Sequence, residues 1–467
     1  MWNFSEIAAN TVAIGEDGTE YTYNDLKTEG EKLAAIIDKR SLVFVLCKNE
    51  PGALLGYVTF LNNDIVPLMI DAGINRGLLD NLIGTYKPDY LWMPSGIDNM
   101  QDSVHIVSVW GYSLFKTKHN RTFVLHGELG LLLTTSGSTG SPKLVRQSYK
   151  NILANAKSIA EYLELDKTER PITTLPMSYT YGLSIINSHL YVGASLILTE
   201  NTLMQRNFWQ LLKNHGATSF GGVPYTYEML NRLKFYRMDL PLLRTITQAG
   251  GKLAPELHKK FAEWANVTGK RFVVGYGQTE ATARMAYLPH DKALEKTGSM
   301  GIAIPGGEFL LMDVCGIVIT ESNVVGELLY RGDNVTLGYA ECGDDLAKGD
   351  EFKGELLTGD MAKRDDDGFY FIVGRKKRFL KIFGNRVNLD EIELMIKSEF
   401  KNLDCACSGI DDRMDVYITA RGKEKDVISF LSKSTALNSI VFNVLFIEEI
   451  PRSDSGKIRY SSLGENA

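Results

Sequence analysis

Short apolar runs alternate with amphipathic stretches along most of this chain. Thr11-Val-Ala-Ile14 and Tyr21-Thr-Tyr23 flank the turn-prone Gly15-Glu-Asp-Gly18, which predicts a β-hairpin over residues 11–23. Thr22 and Asp25 have the spacing of a capping box, and Leu26, Leu33 and Ile37 fall on one helical stripe. The apolar run Leu42–Cys47 reads as a strand. Further on, a helix is expected over Lys150–Leu165, with Ile152, Leu153, Ala156, Ile159 and Leu163 on one face, and a strand over Ala194–Leu198. Strands alternating with helices favour an α/β architecture with largely parallel sheets.

The texture changes near Gly326. From there to Gly374 the pattern is one of short β segments and polar turns, including the tight turn Asp365-Asp-Asp-Gly368. A basic cluster follows, Arg375-Lys-Lys-Arg378, whose charge predicts a solvated linker, since burying it would be costly. Leu389–Phe400 is helical by period, with Ile392, Met395 and Ile396 on its apolar face. Strands over Asp404–Ile410 and Val416–Ala420, a helix near Asp426–Ser432 and a strand over Val441–Ile447 complete a small α+β unit. The boundary is drawn at Arg375–Lys377. This gives a domain over 1–375 and a smaller one over 376–467.

Composition narrows the class. The chain has 467 residues, 44% hydrophobic and 23% charged, values of a globular protein with ample core. A net charge of -6 argues against a nucleic-acid surface. The five cysteines are scattered, and Cys405 and Cys407 are too closely spaced for a zinc knuckle, so reduced core cysteines are expected. No apolar stretch approaches the ~20 residues that span a bilayer. No secretory signal pattern opens Met1-Trp-Asn-Phe-Ser, and a cytoplasmic location is expected.

Candidate chemistry centres on Leu131-Leu-Leu-Thr-Thr-Ser-Gly-Ser-Thr-Gly-Ser-Pro-Lys143. A buried-type strand feeds a loop of Thr, Ser and Gly whose backbone N–H groups can turn towards one phosphate. Lys143 adds a mobile point charge and Pro142 restricts the exit; the loop lacks a Walker A ending. Such a loop read alone is also a plain turn. Tyr276-Gly-Gln-Thr-Glu280 follows the apolar strand Arg271–Val274 and sets a carboxylate beyond a glycine-containing turn, where a hard cation could meet it and phosphate oxygens. Thr358-Gly-Asp360 ends another strand and could offer a carboxylate to ribose hydroxyls. Pro451-Arg-Ser-Asp-Ser-Gly-Lys457 carries a lysine in a polar loop.

Taken together and in order, these motifs resemble the acyl-adenylate-forming superfamily: acyl-CoA synthetases, luciferases and peptide-synthetase adenylation domains. Tyr21-Thr-Tyr-Asn-Asp-Leu26, Val66-Pro-Leu-Met-Ile-Asp71, Ala249-Gly-Gly-Lys-Leu253, Gly326-Glu-Leu-Leu-Tyr-Arg331 and Lys381-Ile-Phe-Gly-Asn-Arg-Val-Asn-Leu-Asp-Glu-Ile-Glu393 extend the likeness over essentially the whole chain. The resemblance implies an α/β fold, with a large N-terminal domain of mixed, largely parallel sheets and packed helices. A hinge would join it to the small C-terminal α+β domain.

It also implies a two-step reaction using ATP, Mg²⁺ and coenzyme A or a carrier-protein phosphopantetheine. A carboxylate attacks the α-phosphate of ATP, releasing pyrophosphate, and a thiol then displaces AMP. Joining two anions makes positive charge and positioning dominate the first step. By motif, Lys457 would bridge the carboxylate and the α-phosphate, while Thr135, Ser136, Gly137, Ser138, Thr139, Gly140 and Lys143 hold the β- and γ-phosphates. Glu280 would take Mg²⁺, with Thr279 beside it counted among the catalytic residues. Tyr276, with Gly277 and Gln278, would face adenine opposite Gly250 and Gly251. Asp360 would hold the ribose, assisted by Arg375. Lys377 would be the hinge, and the Lys381–Gly384 loop would serve the thiol step.

The sequence departs from its relatives at Pro176-Met-Ser-Tyr-Thr-Tyr-Gly182, where Tyr179 stands in place of a histidine common in acyl-CoA synthetases. The aspartate that pairs an α-ammonium in amino-acid-activating domains is absent from Leu175–Leu183, so the expected substrate is a carboxylic acid without a conventionally recognised α-amino group. Tyr179, Tyr181 and Phe220 could line an apolar or aromatic slot, and core packing explains them equally well. No Ser-centred carrier motif follows Lys457, so the thiol is expected from outside, coenzyme A ahead of a separate carrier protein. The alternatives are a stand-alone adenylation enzyme loading such a carrier and a non-catalytic nucleotide-binding protein of the same fold.

Overall fold

The computed structural model describes residues 1–2, 4–97, 103–119, 121–134, 143–383, 385–401, 403–435, 437–452 and 458–463, with the backbone alone at Lys377, Phe379, Lys381, Asn385, Arg386 and Ser461. The chain forms two compact units. The first comprises 1–309 and 330–356, the second 310–329 and 357–467.

An eight-stranded sheet forms the frame of the first unit, in the order 338–340, 144–148, 129–134, 66–71, 42–47, 90–94, 112–117, 103–109. Its centre is parallel, Leu42–Cys47 pairing with Val66–Asp71 and Tyr90–Pro94, and Val66–Asp71 with Leu129–Thr134. Both flanks are antiparallel. The expected parallel character therefore holds for the middle of the sheet. Leu42–Cys47 is buried along its whole length because helices cover both faces. One face packs with the helices Tyr23–Ala34 and Pro51–Asn62, the other with Arg76–Tyr86.

Local signals act where the sequence places them. Thr11–Ile14 and Glu20–Thr22 form the hairpin, and Thr22 caps the next helix reciprocally with Asp25. The helix expected from Lys150 starts at Tyr149, because Ser148 and Asn151 make a capping box one residue earlier. Leu153 is a correction: it is 40% exposed, while Ile152, Ala156 and Ile159 are buried. The strand expected over Ala194–Leu198 is ordered as a pair only at Leu196–Ile197.

A second sheet of this unit runs 219–222, 245–248, 271–276, 286–288, 302–303. Its first three strands are parallel, so their carboxyl ends open along one edge. In α/β sheets, ligands bind at such edges. Gly222-Val223, Ala249–Gly251 and Tyr276–Glu280 all emerge there.

The second unit holds the strand Glu355–Arg364 from Leu357 onward and its hairpin partner Tyr370–Arg375, turned by Asp365–Gly368, where Gly368 has φ of +86° and Asp365 accepts from the Phe369 amide. The strands Cys405–Ile410, Arg413–Ile418 and Phe442–Phe446 pack with the helices Leu389–Glu399 and Glu424–Thr435 around Ile392, Ile396, Val416, Val427 and Leu431. Cys405 and Cys407, two apart on one strand, point into that core. The compact division falls earlier than residue 375, because the strands around 310–329 and 357–375 group with the C-terminal segment. Compactness and pivoting are separate properties, so a hinge at Lys377 remains a proposal.

Candidate active site

In the first unit, Glu280 sits on the short helical turn Thr279–Ala281 just past the strand Arg271–Tyr276. The chain doubles back so tightly that a Cβ on Gly277 would lie 1.5 Å from the Ala283 carbonyl oxygen, and only glycine fits. Thr282 (φ +53°) and Ala283 (φ +95°) both occupy left-handed backbone, which costs a β-branched or Cβ-bearing residue on the order of 1–3 kcal/mol. Hydrogen bonds hold the turn in place. Asn334 Nδ2 donates to the Ala281 and Arg284 carbonyls at 2.8 and 2.9 Å, and Thr282 Oγ1 donates to the Asn334 carbonyl at 2.7 Å. Strain held this firmly fixes where the Glu280 carboxylate points.

Tyr339, on the strand Gly338–Ala340, donates its hydroxyl to Glu280 Oε1 at 2.8 Å. The same ring lies 3.6 Å beneath Lys143 Nζ, a cation–π contact. Lys143 also approaches Glu341 at 3.8 Å. One tyrosine therefore joins the lysine after the Ser/Gly loop to the carboxylate on the far strand end. Arg146 holds that tyrosine in register. Its side chain is fully buried, pairs with Glu351, and donates to the Tyr339 and Leu337 carbonyls at 2.8 and 3.0 Å. Burial and the neighbouring Glu280 charge raise the Tyr339 phenol above its ordinary pKa, so it remains a hydrogen-bond donor. Neither Tyr339 nor Arg146 carries a local sequence signal; the pairing of Gly338–Ala340 with Leu144–Ser148 spans nearly two hundred residues. Thr135, Ser136, Gly137, Ser138, Thr139 and Gly140 lie outside the described residues.

Tyr276, Gly277, Gln278 and Thr279 line the exit of the same strand, and Gln278 Nε2 donates to the Tyr276 hydroxyl at 3.2 Å. Gly250, with φ of +81°, lies beside Tyr179: a Cβ there would meet the Tyr179 hydroxyl at 2.6 Å. Gly251 approaches Pro224 instead. Tyr181 is 3% exposed and shares a 2.8 Å hydrogen bond with Thr247. Phe220 is 1% exposed and packs edge-on against Phe235. Core packing accounts for Phe220 and Tyr181 as they stand, whereas half-buried Tyr179 stands at the strand edge.

The second unit brings Asp360 and Arg375 together, as the motifs implied. They are register partners on adjacent antiparallel strands, with Arg375 Nε 3.0 Å from Asp360 Oδ1. Asp360 is 3% exposed, whereas the Arg375 side chain is 61% exposed. A buried carboxylate paired to a solvent-facing guanidinium can still take hydrogen bonds from a diol.

In the basic cluster Arg375 and Lys376 are exposed, as a solvated linker requires, and Arg378 is the correction. Lys376 pairs with Glu327 at 2.7 Å. Arg378 is largely buried: Nε meets Asp390 at 2.5 Å, Nη2 meets Glu393 at 2.6 Å, and the guanidinium lies 3.8 Å from the Tyr460 ring centroid. Burial raises the Glu393 carboxyl pKa, and the Arg378 charge opposes that rise. The charges are affordable inside because acidic partners meet them. The Lys377 and Lys381 side chains, Gly384 and Lys457 lie outside the described residues.

Among the described residues no three His, Cys, Asp or Glu side chains gather as a metal site. A single carboxylate suits Mg²⁺, which retains waters and takes phosphate oxygens alongside one or two protein ligands. No helix among the described residues is long and apolar enough to cross a membrane.

Residues 4–340 match the model of the AMP-binding enzyme family, and the chain belongs to that family. Among curated proteins it is similar to 4-coumarate–CoA ligase-like 2 of Arabidopsis thaliana, 27% identical over 70% of this chain and 59% of the relative. It is also similar to probable CoA ligase CCL5 of Humulus lupulus, 26% identical over 82% of this chain and 72% of the relative. The match thus spans about three-fifths of the first relative's length. Among solved structures, o-succinylbenzoate CoA synthetase (MenE) of Bacillus subtilis in complex with OSB-AMP superimposes with a TM-score of 0.81. It is 19% identical, covering 99% of this chain and 98% of that one, a likeness of fold.

Proposed function

We propose that this protein is an AMP-forming acid–thiol ligase that converts a carboxylic acid to its adenylate and passes the acyl group to coenzyme A. The observation that carries the reading is the array Lys143–Tyr339–Glu280. It sets a phosphate-type cation over the face of one ring and a metal-type carboxylate on that ring's hydroxyl, just past the carboxyl end of the strand Arg271–Tyr276. Family membership and CoA-ligase relatives support it.

Bound Mg²⁺ would neutralise phosphate charge in the first step. The protein's own residues do the rest. Glu280, steadied by Tyr339 and the strained turn, would be that cation's protein ligand. Lys143, with the Thr135–Gly140 loop, holds the β- and γ-phosphates, and Tyr276 faces adenine with Gly250 and Gly251. Asp360 and Arg375 take the ribose. Lys457 steadies the α-phosphate while an acid oxygen bonds to phosphorus and the pyrophosphate oxygen leaves. In the second step a thiolate bonds to the acyl carbon and AMP departs. Lys377 is the proposed pivot between steps, and the Lys381–Gly384 loop serves the second.

Lys457→Ala tests the division of labour. Acid-dependent pyrophosphate exchange should fall by at least ~100-fold, as for a lost charge-assisted contact of about 3 kcal/mol or more, while thioester formation from supplied adenylate changes little. Equal loss in both steps overturns it. Coenzyme A offered against a purified carrier protein decides the acceptor.

A further inference from the structure

Behind Tyr181 lies a fully buried guanidinium without a carboxylate. Arg284 is 2% exposed, and its side-chain hydrogen bonds go to neutral groups: Nη1 donates to the Tyr162 hydroxyl at 3.0 Å and Nε to Ser184 Oγ at 3.3 Å. Its central carbon lies 4.4 Å from the Tyr181 ring centroid. Among the described residues no acid pairs with it. Elsewhere in this chain a buried arginine has its counter-charge, Arg146 with Glu351 and Arg378 with Asp390 and Glu393. An unpaired buried charge costs several kcal/mol, so this site is incomplete as a self-contained core.

Arg284 lines a small cavity of about 10 Å³, room for about one water-sized group. Two further polar atoms on its lining residues have no partner, Ser219 Oγ and His189 Nε2, both buried. His189 donates through Nδ1 to the Ile185 carbonyl at 2.7 Å, which leaves Nε2 as the open position. Phe220 and Thr247 form part of the wall.

We propose that this cavity is a binding site for a small anionic group, which pairs with Arg284 and accepts from Ser219. The volume admits a single-atom anion such as chloride, and this site stands apart from the ligase reading. Burial and the Arg284 charge lower the His189 pKa, and Glu169 opposes them. The Tyr162 and Tyr181 phenols beside Arg284 are kept neutral by burial. A negative charge in the cavity offsets Arg284 and lets His189 take the proton that completes Nε2.

Thermal midpoints of the full chain test the site, titrated with sodium chloride against equal concentrations of sodium gluconate, whose anion is too large to enter. A bound ion gives a saturable, chloride-specific rise in midpoint that Arg284→Gln abolishes and Arg284→Lys partly keeps. If wild type shows no chloride-specific rise, the proposal is overturned. The wild-type comparison stands even where Arg284→Gln does not fold.

Discussion

Replacing Tyr339 with phenylalanine removes one oxygen and leaves the ring in place. The hydroxyl lost is the donor to Glu280 Oε1 at 2.8 Å, and the ring kept is the one 3.6 Å from Lys143 Nζ. A hydrogen bond to an ionised group contributes about 1.5–3 kcal/mol, and Glu280 is only half-buried, so the lower end applies. The cation–π contact, about 0.5–1 kcal/mol at a partly exposed site, survives in Tyr339→Phe and is lost in Tyr339→Leu. Tyr339→Phe should therefore raise the free Mg²⁺ needed for half-maximal pyrophosphate exchange roughly tenfold, with little change in apparent ATP affinity at saturating Mg²⁺. Tyr339→Leu should add a weakening for ATP of a few fold. Because burial and Glu280 keep the phenol protonated, the Phe effect should be flat between about pH 6 and 9. The assay is exchange rate against free Mg²⁺ for the three proteins. An unchanged Mg²⁺ dependence in Tyr339→Phe refutes the idea that this hydroxyl positions Glu280.

Other outcomes follow from the second unit and the first unit's edge. Asp360→Ala removes the buried carboxylate facing Arg375 and should weaken ATP binding by calorimetry; unchanged binding would mean that the ribose lies elsewhere. Arg378→Ala strands Asp390 and Glu393 and should destabilise by about 3–5 kcal/mol, whereas Lys376→Ala, an exposed pair, should cost under about 1 kcal/mol. Similar denaturant midpoints for the two variants would contradict the burial of Arg378. The Asp345 pKa is lowered to about 2, first by its hydrogen bond with Lys348. A depressed carboxyl stabilises the fold above its unfolded pKa near 4 and loses that contribution as pH falls towards about 2. Lys348→Met should thus reduce stability at neutral pH and flatten the acid limb between those values, read from thermal midpoints across pH.

Much of the fold was legible because its signals are local. Gly15–Gly18, the Thr22–Asp25 box and the unbroken apolar run Leu42–Cys47 each specify structure within a few residues. Leu153 misled because the helix stripe fixes a face only approximately and the partner surface decides its width. The linker charge misled for a different reason. Arg378 reads as solvated until the helix Leu389–Glu399 supplies Asp390 and Glu393, and no pattern in residues 375–378 announces those partners. At the site, Glu280, Lys143 and the Asp360–Arg375 pair were visible as motif positions. Tyr339, Arg146 and Arg284 were not, since strand pairing and tertiary burial give each its environment.

The most direct test of the central claim is the identity of the nucleotide products. Purified protein with ATP, Mg²⁺ and a panel of short-chain, long-chain, aryl and dicarboxylic acids is assayed for AMP, ADP, pyrophosphate and phosphate, with and without coenzyme A. The account predicts acid-dependent AMP and pyrophosphate in equal amounts, with one acyl thioester per AMP when coenzyme A is present. ADP and phosphate as products, or ATP binding with no acid-dependent turnover across the panel, would contradict it.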